Sequence, residues 1–297
     1  MKPLVSIVIP THRPDHFRNA LSCALGQTYQ NIEIIVSDNS ESSEIHDLCK
    51  GLPQVIYRKN LDGIPASNIA CPLSLVSGKY IKYLFDDDLI FPHCIESMIG
   101  WLYKIDEGYR NKIGLITTPR QVIDGDSICH GELKEQSLSA VTLLDGRDCI
   151  KRILVALDNF IGEFSTVMFS ADFIDLQNPL EIFNLYGQEY RMGLIDVPIY
   201  LKILSSSDLL YIPHALSAFR KHANAGSNPY ANPNLHSAVS DWYRLIDSCL
   251  EAGLIGVEDS EGAFTNYIKH SGIYESIFPE QLKKFKELAQ SRVRSIL

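Results

Sequence analysis

Three consecutive carboxylates, Asp86 to Asp88, directly follow an apolar run that predicts a buried strand. Like charges this close repel one another, and because side chains alternate direction at a strand end, at most two of them can face one point. A divalent cation is the simplest compensation, since Mg²⁺ and Mn²⁺ bind one or two protein carboxylates together with substrate phosphates. The alternative is a solvated acidic loop. The triplet therefore predicts a Mg²⁺ or Mn²⁺ site that would also help an acidic protein bind a diphosphate.

The elements that must position this triplet alternate along the chain. Short apolar runs predict strands over 5–9, 32–38, 54–60 and 80–85. Helical spacing, with Pro and Gly at suitable ends, predicts helices between them over 14–26, 42–51 and 64–77. Alternation of this kind predicts an α/β fold with a Rossmann-like, doubly wound and mostly parallel sheet.

Polar side chains mark the ends of these predicted strands, namely Thr11 and His12, Asp38, and Asn60. Ligands of open parallel sheets bind outside the carboxyl ends of the strands, so these residues and the acidic triplet predict one binding crevice. The alternative for any single Asp or Asn is a helix cap or a turn. Neither a P-loop nor a G-x-G-x-x-G sequence follows a strand, so the ordinary phosphate-binding loops are absent.

Composition narrows the functional classes. A chain of 297 residues that is 45% hydrophobic can bury one large domain, or one domain with an appendage. Its net charge of −9 and the lack of a Lys/Arg run argue against nucleic-acid binding. The seven cysteines are scattered without C-x-x-C spacing, which predicts neither disulfides nor a zinc site. With no signal-like start and no long apolar run, we expect a cytoplasmic protein, with peripheral membrane contact left open.

Five segments of the sequence resemble, in order, the family 2 glycosyltransferases of the GT-A fold. They are similar to the first strand, the second strand with its Asp-x-Ser ending, the Asn-x-Gly segment, the Asp-x-Asp strand, and the segment that carries the base and a distal Arg-x-His. They cover about residues 3–222 and read VSIVIPTHRP, IEIIVSDNS, NLDGIPASN, GKYIKYLFDDDLIFP and GLIDVPIYLKILSSSDLLYIPHALSAFRKH. Each segment alone is a weak signal, whereas five in order at typical spacing are specific.

The resemblance implies a metal-dependent inverting glycosyltransferase. It would move a sugar from a nucleotide-sugar donor, with UDP the expected nucleotide and Mn²⁺ or Mg²⁺ the cofactor. The acceptor would be a hydroxyl of a saccharide, a lipid-linked molecule or a protein, in bacterial surface polysaccharide or glycoconjugate synthesis. Homodimerisation stays open.

The resemblance also implies a division of the chain. Residues 1–115 would form the nucleotide-sugar-binding half and 116–222 the acceptor-binding half of one GT-A domain. Residues 223–297 would form a loop and a C-terminal helical extension, since 223–234 are rich in Gly, Pro and Asn and helical periodicity follows. This extension lies outside the resemblance. It would complete the core, shape the acceptor site or mediate dimerisation, and the sequence does not choose among these.

Site residues follow from the resemblance position by position. The nucleotide would contact Pro10, Thr11, His12, Arg13, Asp38, Asn60, Gly63, Asn68 and Asp86. Asp87, Asp88 and His222 would be the metal ligands and Asp196 the general base. The second signature Asp of the family precedes a Pro by five residues, which selects Asp87 through Pro92, while Asp86-x-Asp88 is the alternative register. A helix N-cap is the alternative role for Asp196.

Several residues depart from the family pattern. Phe85 occupies the first metal-signature position, Ser67 replaces the usual Arg, and Ile195 replaces the usual Glu before the base. Pro72 should kink the helix predicted over 64–77. Two other functions remain: a nucleotidyltransferase, which should carry a Gly-rich basic loop where this chain has THRPDHF, and a catalytically silent nucleotide-sugar-binding protein.

Overall fold

The computed structural model describes residues 2–135, 137–221 and 235–296. They form two compact units. The sheet unit takes the described residues of Met1–Leu144, Ile161–Ile182 and Ser207–His222. The helical unit takes those of Asp145–Phe160, Phe183–Ser206 and Ala223–Leu297.

The described residues contain the following strands in chain order. They are β1 (Val5–Thr11), β2 (Ile32–Asp38), β3 (Val55–Lys59), β4 (Tyr80–Tyr83), β5 (Leu89–Ile90), β6 (Ile113–Thr117), β7 (Arg120–Ile123), β8 (Cys129–Leu133), β9 (Thr142–Leu144), β10 (Met168–Ser170), β11 (Asn184–Leu185), β12 (Gln188–Glu189), β13 (Asp208–Tyr211) and β14 (Ser217–Arg220). The strands predicted over 5–9, 32–38, 54–60 and 80–85 correspond to β1 to β4.

The α-helices of the described residues are listed here with their bounds. They are α1 (Pro14–Leu25), α2 (Glu44–Cys49), α3 (Pro65–Ala70), α4 (Cys94–Leu102), α5 (Glu107–Arg110), α6 (Gly146–Ala156), α7 (Asp196–Leu204), α8 (Leu235–Glu251), α9 (Val257–Tyr274) and α10 (Pro279–Ile296). Short 3₁₀ helices lie at Cys71–Leu75, Phe164–Thr166, Ala171–Phe173 and Pro179–Phe183.

The main sheet of the described residues has eight strands in the order β3-β2-β1-β4-β10-β6-β13-β9. Strands β1 to β4 pair in parallel, as do β6 and β13, whereas β10 and β9 run antiparallel to their neighbours. Every residue of β1 is buried, as expected of a strand covered on both faces. A second sheet in the order β5-β14-β7-β8 brings Ser217–Arg220 beside the segment after the acidic triplet. The predicted mostly parallel α/β fold is confirmed.

The helix predicted over 64–77 is shorter and changes type at the expected place. It begins at Pro65 and ends as an α-helix at Ala70, and Cys71–Leu75 continues as a 3₁₀ helix. Pro72 is the physical reason, because it lacks the N–H that an α-helical turn would use and its ring crowds the preceding turn.

The helical periodicity predicted after residue 235 corresponds to α8, α9 and α10. Trp242, Leu245, Ile246 and Cys249 are buried as the spacing in α8 predicts. In α10, Leu282 is buried, but Leu288 is 38% exposed and the neighbouring Ala289 is fully buried. The buried face of α10 therefore includes Leu282 and the small Ala289 and leaves Leu288 part-exposed.

The units differ from the three continuous segments predicted from the sequence. Residues 145–160 and 183–206, which lie in the predicted acceptor-binding half, group with the C-terminal helices instead. The predicted loop of residues 223–234 lies outside the described residues. None of the seven cysteines, all of which lie in the described residues, forms a disulfide. A search of the described helices finds none with the length and apolar character needed to cross a membrane.

Gly78 shows how tightly β1 and β4 approach. Its N–H donates to Ser6 Oγ (2.9 Å) and Glu33 Oε1 (3.2 Å). A Cβ at this position would lie 2.5 Å from Ser6 Oγ and 2.7 Å from Ser6 N.

We therefore expect Gly78→Ala to lower the free energy of unfolding by about 1–3 kcal/mol, because the added methyl forces the two strands apart. Gly100→Ala is the control, since Gly100 lies in α4 with nothing within 4 Å of its Cβ position and should gain about 0.5–1 kcal/mol. Urea unfolding measures both. Equal effects of the two substitutions would contradict the proposed close approach.

Candidate active site

The carboxyl ends of β1, β2 and β4 are joined by a buried hydrogen-bond network in the sheet unit. Thr11 Oγ1 donates to Asp86 Oδ2 (2.8 Å), and Asn68 Nδ2 donates to the Thr11 carbonyl oxygen (2.9 Å). The Asn68 side-chain oxygen accepts from Ser37 Oγ (2.7 Å). Thr11, Asn68 and Asp86 are all less than 9% exposed. Three predicted nucleotide-binding residues are thus brought together at one edge of the sheet.

Asp38 is completely buried at the end of β2. Its Oδ1 accepts from the backbone N–H of Ser40 (2.7 Å), and its Oδ2 accepts from Tyr57 OH (2.7 Å) and Lys59 Nζ (3.1 Å). Burial would raise the pKa of this carboxyl, but the hydrogen bonds from Ser40, Tyr57 and Lys59 outweigh it and lower the pKa. Asp38 is therefore an ionised anchor for the ends of β2 and β3.

The segment after β3 is open to solvent on its outer side. Asn60 is 8% exposed, whereas Gly63 is exposed and has a φ of +67°, a conformation that favours glycine. Asp62 Oδ1 accepts from the N–H of Ile64 (2.9 Å), which closes a turn around Gly63. This turn leads into α3, where Asn68 belongs to the buried network.

The three acidic residues have three different environments. Asp86 accepts from Thr11 Oγ1 and from the backbone N–H of His12 (3.3 Å), and burial raises its pKa. Asp88 is 3% exposed and accepts from the backbone N–H of Arg220 (3.0 Å); burial raises its pKa to about 8. The side chain of Asp87 is 24% exposed, and its Oδ2 lies 3.7 Å from Arg13 Nη2. Asp87 is the least buried of the three, which favours the register set by Pro92.

Arg220 holds the acidic loop and was not among the predicted site residues. It is 1% exposed, and its Nε donates to the Asp87 carbonyl oxygen (2.8 Å). Its Nη1 donates to the carbonyl oxygen of Asp124 (2.6 Å) and to Ser127 Oγ (3.0 Å). The guanidinium therefore ties the acidic loop to the turn between β7 and β8. The FRKH sequence was a signal for this residue, since it is the Arg of the Arg-x-His pattern.

Lys82 and Ser165 support the same loop from inside the sheet. Lys82 is fully buried, and its Nζ donates to the carbonyl oxygens of Ser165 and Tyr83. Ser165 Oγ accepts from the N–H of Phe85 (3.0 Å), and the Phe85 ring stacks on Phe164 with centroids 5.4 Å apart. Phe85 thus occupies the first signature position as a packing residue.

The described residues give a limited fit to a divalent ion. Over 2–135, 137–221 and 235–296, no group of three His, Cys, Asp or Glu side chains is arranged to hold a metal. Asp87 has the most exposed side chain of the three acidic residues, at 24%, so its carboxylate is the one best placed for a metal that a diphosphate also ligates. His222, the third predicted ligand, lies outside the described residues.

Asp196 belongs to the helical unit, where it begins α7. Its Oδ1 accepts from the N–H of Val197 (2.8 Å), and its Oδ2 accepts from Asn159 Nδ2 (2.8 Å). The N-cap position of α7 is Ile195, so Asp196 is the first helical residue. Asn159, which the sequence did not single out, fixes the carboxylate of the predicted base. It follows Leu157, whose φ of +52° ends α6 in a left-handed turn.

The remaining predicted nucleotide contacts lie in the sheet unit. Pro10 is buried within β1 and has no polar side chain to offer. His12 is exposed, and its Nδ1 lies 3.8 Å from Asp86 Oδ2. Arg13 is the N-cap residue of α1, with an extended backbone. Together His12 and Arg13 place cationic or protonatable groups beside Asp86 and Asp87.

Comparison with known proteins agrees with this architecture. The model of glycosyl transferase family 2 matches residues 6–109, which include the whole acidic loop. These residues belong to glycosyl transferase family 2.

Relatives of the family 2 domain extend the likeness along the chain. An uncharacterized glycosyltransferase of Rickettsia felis is 28% identical over 268 residues, which are 88% of this chain and 41% of the relative. One of Rickettsia prowazekii is 34% identical over 127 residues, 42% of this chain and 39% of the relative. The chain thus spans about two fifths of the length of these two relatives.

A solved structure has a fold similar to that of this chain. S. aureus TarS 1-349 in complex with UDP-GlcNAc superimposes with a TM-score of 0.65 at 12% identity, over 99% of this chain and 81% of that one. The predicted GT-A fold with a C-terminal helical region is confirmed.

The buried Lys82 should make the stability of the family 2 domain depend on pH. Burial lowers the pKa of Lys82 to about 8 from its ordinary 10.5. Between these values the unfolded chain holds more protons than the folded one, so Lys82 makes stability rise with pH. The free energy of unfolding of the wild type should gain on the order of 2 kcal/mol from Lys82 between pH 8 and 10. Lys82→Met should lack this gain. Urea unfolding at both pH values measures it.

Lys79→Met serves as the control, because Lys79 is exposed one residue before β4. Its difference from wild type should stay constant over the same pH range. A constant difference for Lys82→Met as well would contradict a depressed pKa at Lys82.

Proposed function

We propose that the chain is a metal-dependent inverting glycosyltransferase that moves a sugar from a UDP-linked donor to an acceptor hydroxyl. The observation that carries this proposal is the network of Thr11, Asn68 and Asp86 beside Asp87, at the carboxyl edge of the sheet in a family 2 domain. UDP is supported by the complex of TarS with UDP-GlcNAc. We assign the reaction to bacterial surface polysaccharide or glycoconjugate synthesis, with a saccharide, lipid-linked or protein acceptor.

The nucleotide half of the donor would bind along the ends of β1 to β3. Asp38 and Asn60 end β2 and β3 here, and Gly63 lets the chain turn without a side chain in the way. A diphosphate needs positive charge, which is scarce in a chain of net charge −9. The guanidinium of Arg13 supplies it at the end of β1.

Asp87 would hold the divalent ion together with phosphate oxygens of the donor, because Asp86 and Asp88 are occupied by protein donors. Bound there, Mn²⁺ or Mg²⁺ would stabilise the charge of the departing diphosphate. Asp86 and Asp88 accept hydrogen bonds from Thr11 and the Arg220 N–H, which holds the backbone on either side of Asp87.

Asp196 would act as the general base. Inversion requires in-line attack by the acceptor hydroxyl on the anomeric carbon, and a carboxylate within hydrogen-bond reach takes the proton as the new bond forms. The donors Asn159 Nδ2 and Val197 N–H orient both oxygens of Asp196. The acidic side chain of Glu163, in the sheet unit, is instead paired with Arg120 through two contacts of 2.9 and 3.0 Å.

A cytoplasmic location is part of the proposal. The absence of disulfides among the seven cysteines of the described residues supports it, because reducing compartments keep thiols from forming disulfides.

The metal role of Asp87 can be tested by calorimetry. Asp87→Ala should weaken Mn²⁺-dependent UDP binding by about 10- to 100-fold, the range expected for losing one charged contact of about 1.5–3 kcal/mol. UDP titrations with Mn²⁺ and with EDTA measure the metal-dependent part.

Asp88→Asn is the matched control. It keeps an oxygen for the Arg220 N–H, so UDP affinity should change by less than about 3-fold, the size of a contact worth well under 1 kcal/mol. A larger loss for Asp88→Asn than for Asp87→Ala would reverse the register in favour of Asp86-x-Asp88.

Asp196→Asn tests the base. Asn keeps the shape, and the Asn159 amide can turn to present its oxygen, so both hydrogen bonds survive. The melting temperature and UDP affinity should therefore stay unchanged, while transfer slows by about 10²- to 10⁴-fold. Sugar transfer from a panel of UDP-sugars, together with thermal unfolding, measures these quantities.

Asp158→Asn is the control for this prediction, because Asp158 is an exposed carboxylate one residue before Asn159. It should transfer sugar at the wild-type rate. Wild-type transfer by Asp196→Asn would remove Asp196 as the base. A wild-type protein that binds UDP-sugar but transfers to no acceptor would favour the silent binding protein.

A further inference from the structure

The segment that leads into Asp196 packs directly on α8 within the helical unit. Gly193 lies so close to this helix that a Cβ would be 2.6 Å from the backbone nitrogen of Ala238 and 2.7 Å from the carbonyl carbon of Ser237. Real side chains do not approach backbone atoms this closely, so only glycine fits here without displacing the segment. The contact fixes the distance between α8 and the residues before Asp196.

Asp241 of α8 accepts a hydrogen bond from the backbone of this segment. It is 4% exposed, and its Oδ2 accepts from the N–H of Leu194 (3.1 Å). Its Oδ1 accepts from Arg244 Nη1 (2.7 Å), so both carboxylate oxygens are occupied. Leu194 stands two residues before Asp196, and its N–H is therefore held at the entrance to α7.

Arg244 extends the same contact toward the start of the segment. Its Nη2 donates to the carbonyl oxygen of Glu189 (2.9 Å) and to Gln188 Oε1 (3.1 Å). Its guanidinium carbon lies 4.6 Å from the centre of the Tyr190 ring, a cation–π distance. One turn of α8 thus holds residues 188–194 through backbone atoms at both ends.

We propose that Asp241 and Arg244 are positioning residues that fix Asp196 for proton abstraction, an inference that rests on the proposed role of Asp196 as base. The C-terminal helices would then belong to the catalytic apparatus, although they lie outside the residues matched by the family model. Asn159 orients the carboxylate of Asp196, and α8 fixes the backbone that carries it.

The chemistry of the contact supports positioning over plain stabilisation. The Arg244 side chain is 29% exposed, so solvent screens its attraction to Asp241 and the ion pair by itself adds little net stability. Asp241 and Arg244 instead direct their hydrogen bonds at particular backbone atoms of the segment. Such contacts fix geometry, and a displacement of about 1 Å at a reacting group can cost about 100-fold in rate.

Arg244→Ala tests the proposal. We expect kcat to fall by about 10- to 100-fold with the donor KM unchanged, since the substitution displaces the base and leaves the donor residues intact. Hydrogen exchange of the amides of residues 188–194 should accelerate in the same variant. Arg244→Lys keeps the charge beside Asp241 but loses the fork, and should recover part of kcat.

The matched control is Arg292→Ala. Arg292 also pairs with carboxylates of α8, Asp247 and Glu251, but from α10. Its loss should lower the melting temperature about as much as Arg244→Ala while kcat stays at the wild-type value. A purely structural role of Arg244 would make the two variants behave alike.

The decisive measurement is the double variant Asp196→Asn/Arg244→Ala. If Arg244 acts through Asp196, adding Arg244→Ala to Asp196→Asn should cause less than about a 2-fold further loss of kcat, because the base is already gone. Independent, multiplicative losses would overturn the proposal. If Arg244→Ala does not fold, Arg244→Lys and Asp241→Asn enter the same cycle.

The two proposals fail in different ways. Wild-type transfer by Asp196→Asn would refute the base assignment whatever Arg244 does. Slow transfer by Asp196→Asn, combined with wild-type kcat and wild-type exchange of residues 188–194 in Arg244→Ala, would refute the positioning role alone.

Discussion

The crowding of three carboxylates at the end of β4 is the constraint on which the sheet unit depends. Three adjacent negative charges cannot all face one point, and the fold separates them by giving each a different set of donors. Asp86 turns to Thr11 and the backbone of His12, and Asp88 turns inward to the N–H of Arg220. Asp87 alone keeps a part-exposed side chain beside Arg13. The three carboxylates thus face different donors, which reduces the repulsion among them.

This solution requires charged groups inside the sheet unit. Lys82 and Arg220 are almost completely buried, and backbone carbonyl oxygens accept hydrogen bonds from both of them. Burying such groups is costly, and the hydrogen bonds compensate because carbonyl groups at strand ends and turns would otherwise be unsatisfied. The result is an acidic loop whose backbone is held from several sides. A loop fixed in this way can present one carboxylate without a further loss of backbone conformational entropy.

The sequence predicted the sheet because its apolar runs and helical spacings are local signals, and the carboxyl edge follows from parallel order. The hydrogen-bond partners of Asp86 and Asp88 could not be predicted from local sequence. Thr11 is 75 positions from Asp86, and Arg220 is 132 positions from Asp88. Lys82 looked like an ordinary polar strand residue, yet its side chain is fully buried. Asn159 gave no signal, because its contact with Asp196 spans 37 positions.

The same device occurs in each unit. A buried carboxylate accepts a backbone N–H next to a less buried carboxylate that would do the chemistry: Asp88 accepts from Arg220 near Asp87, and Asp241 accepts from Leu194 near Asp196. A backbone N–H can move only with its chain, so a buried carboxyl group that accepts from it holds the segment in place. The neighbouring functional carboxylates are less buried, because the buried carboxyl groups make these backbone contacts. In each unit, therefore, one carboxylate is more accessible and a different one holds the backbone.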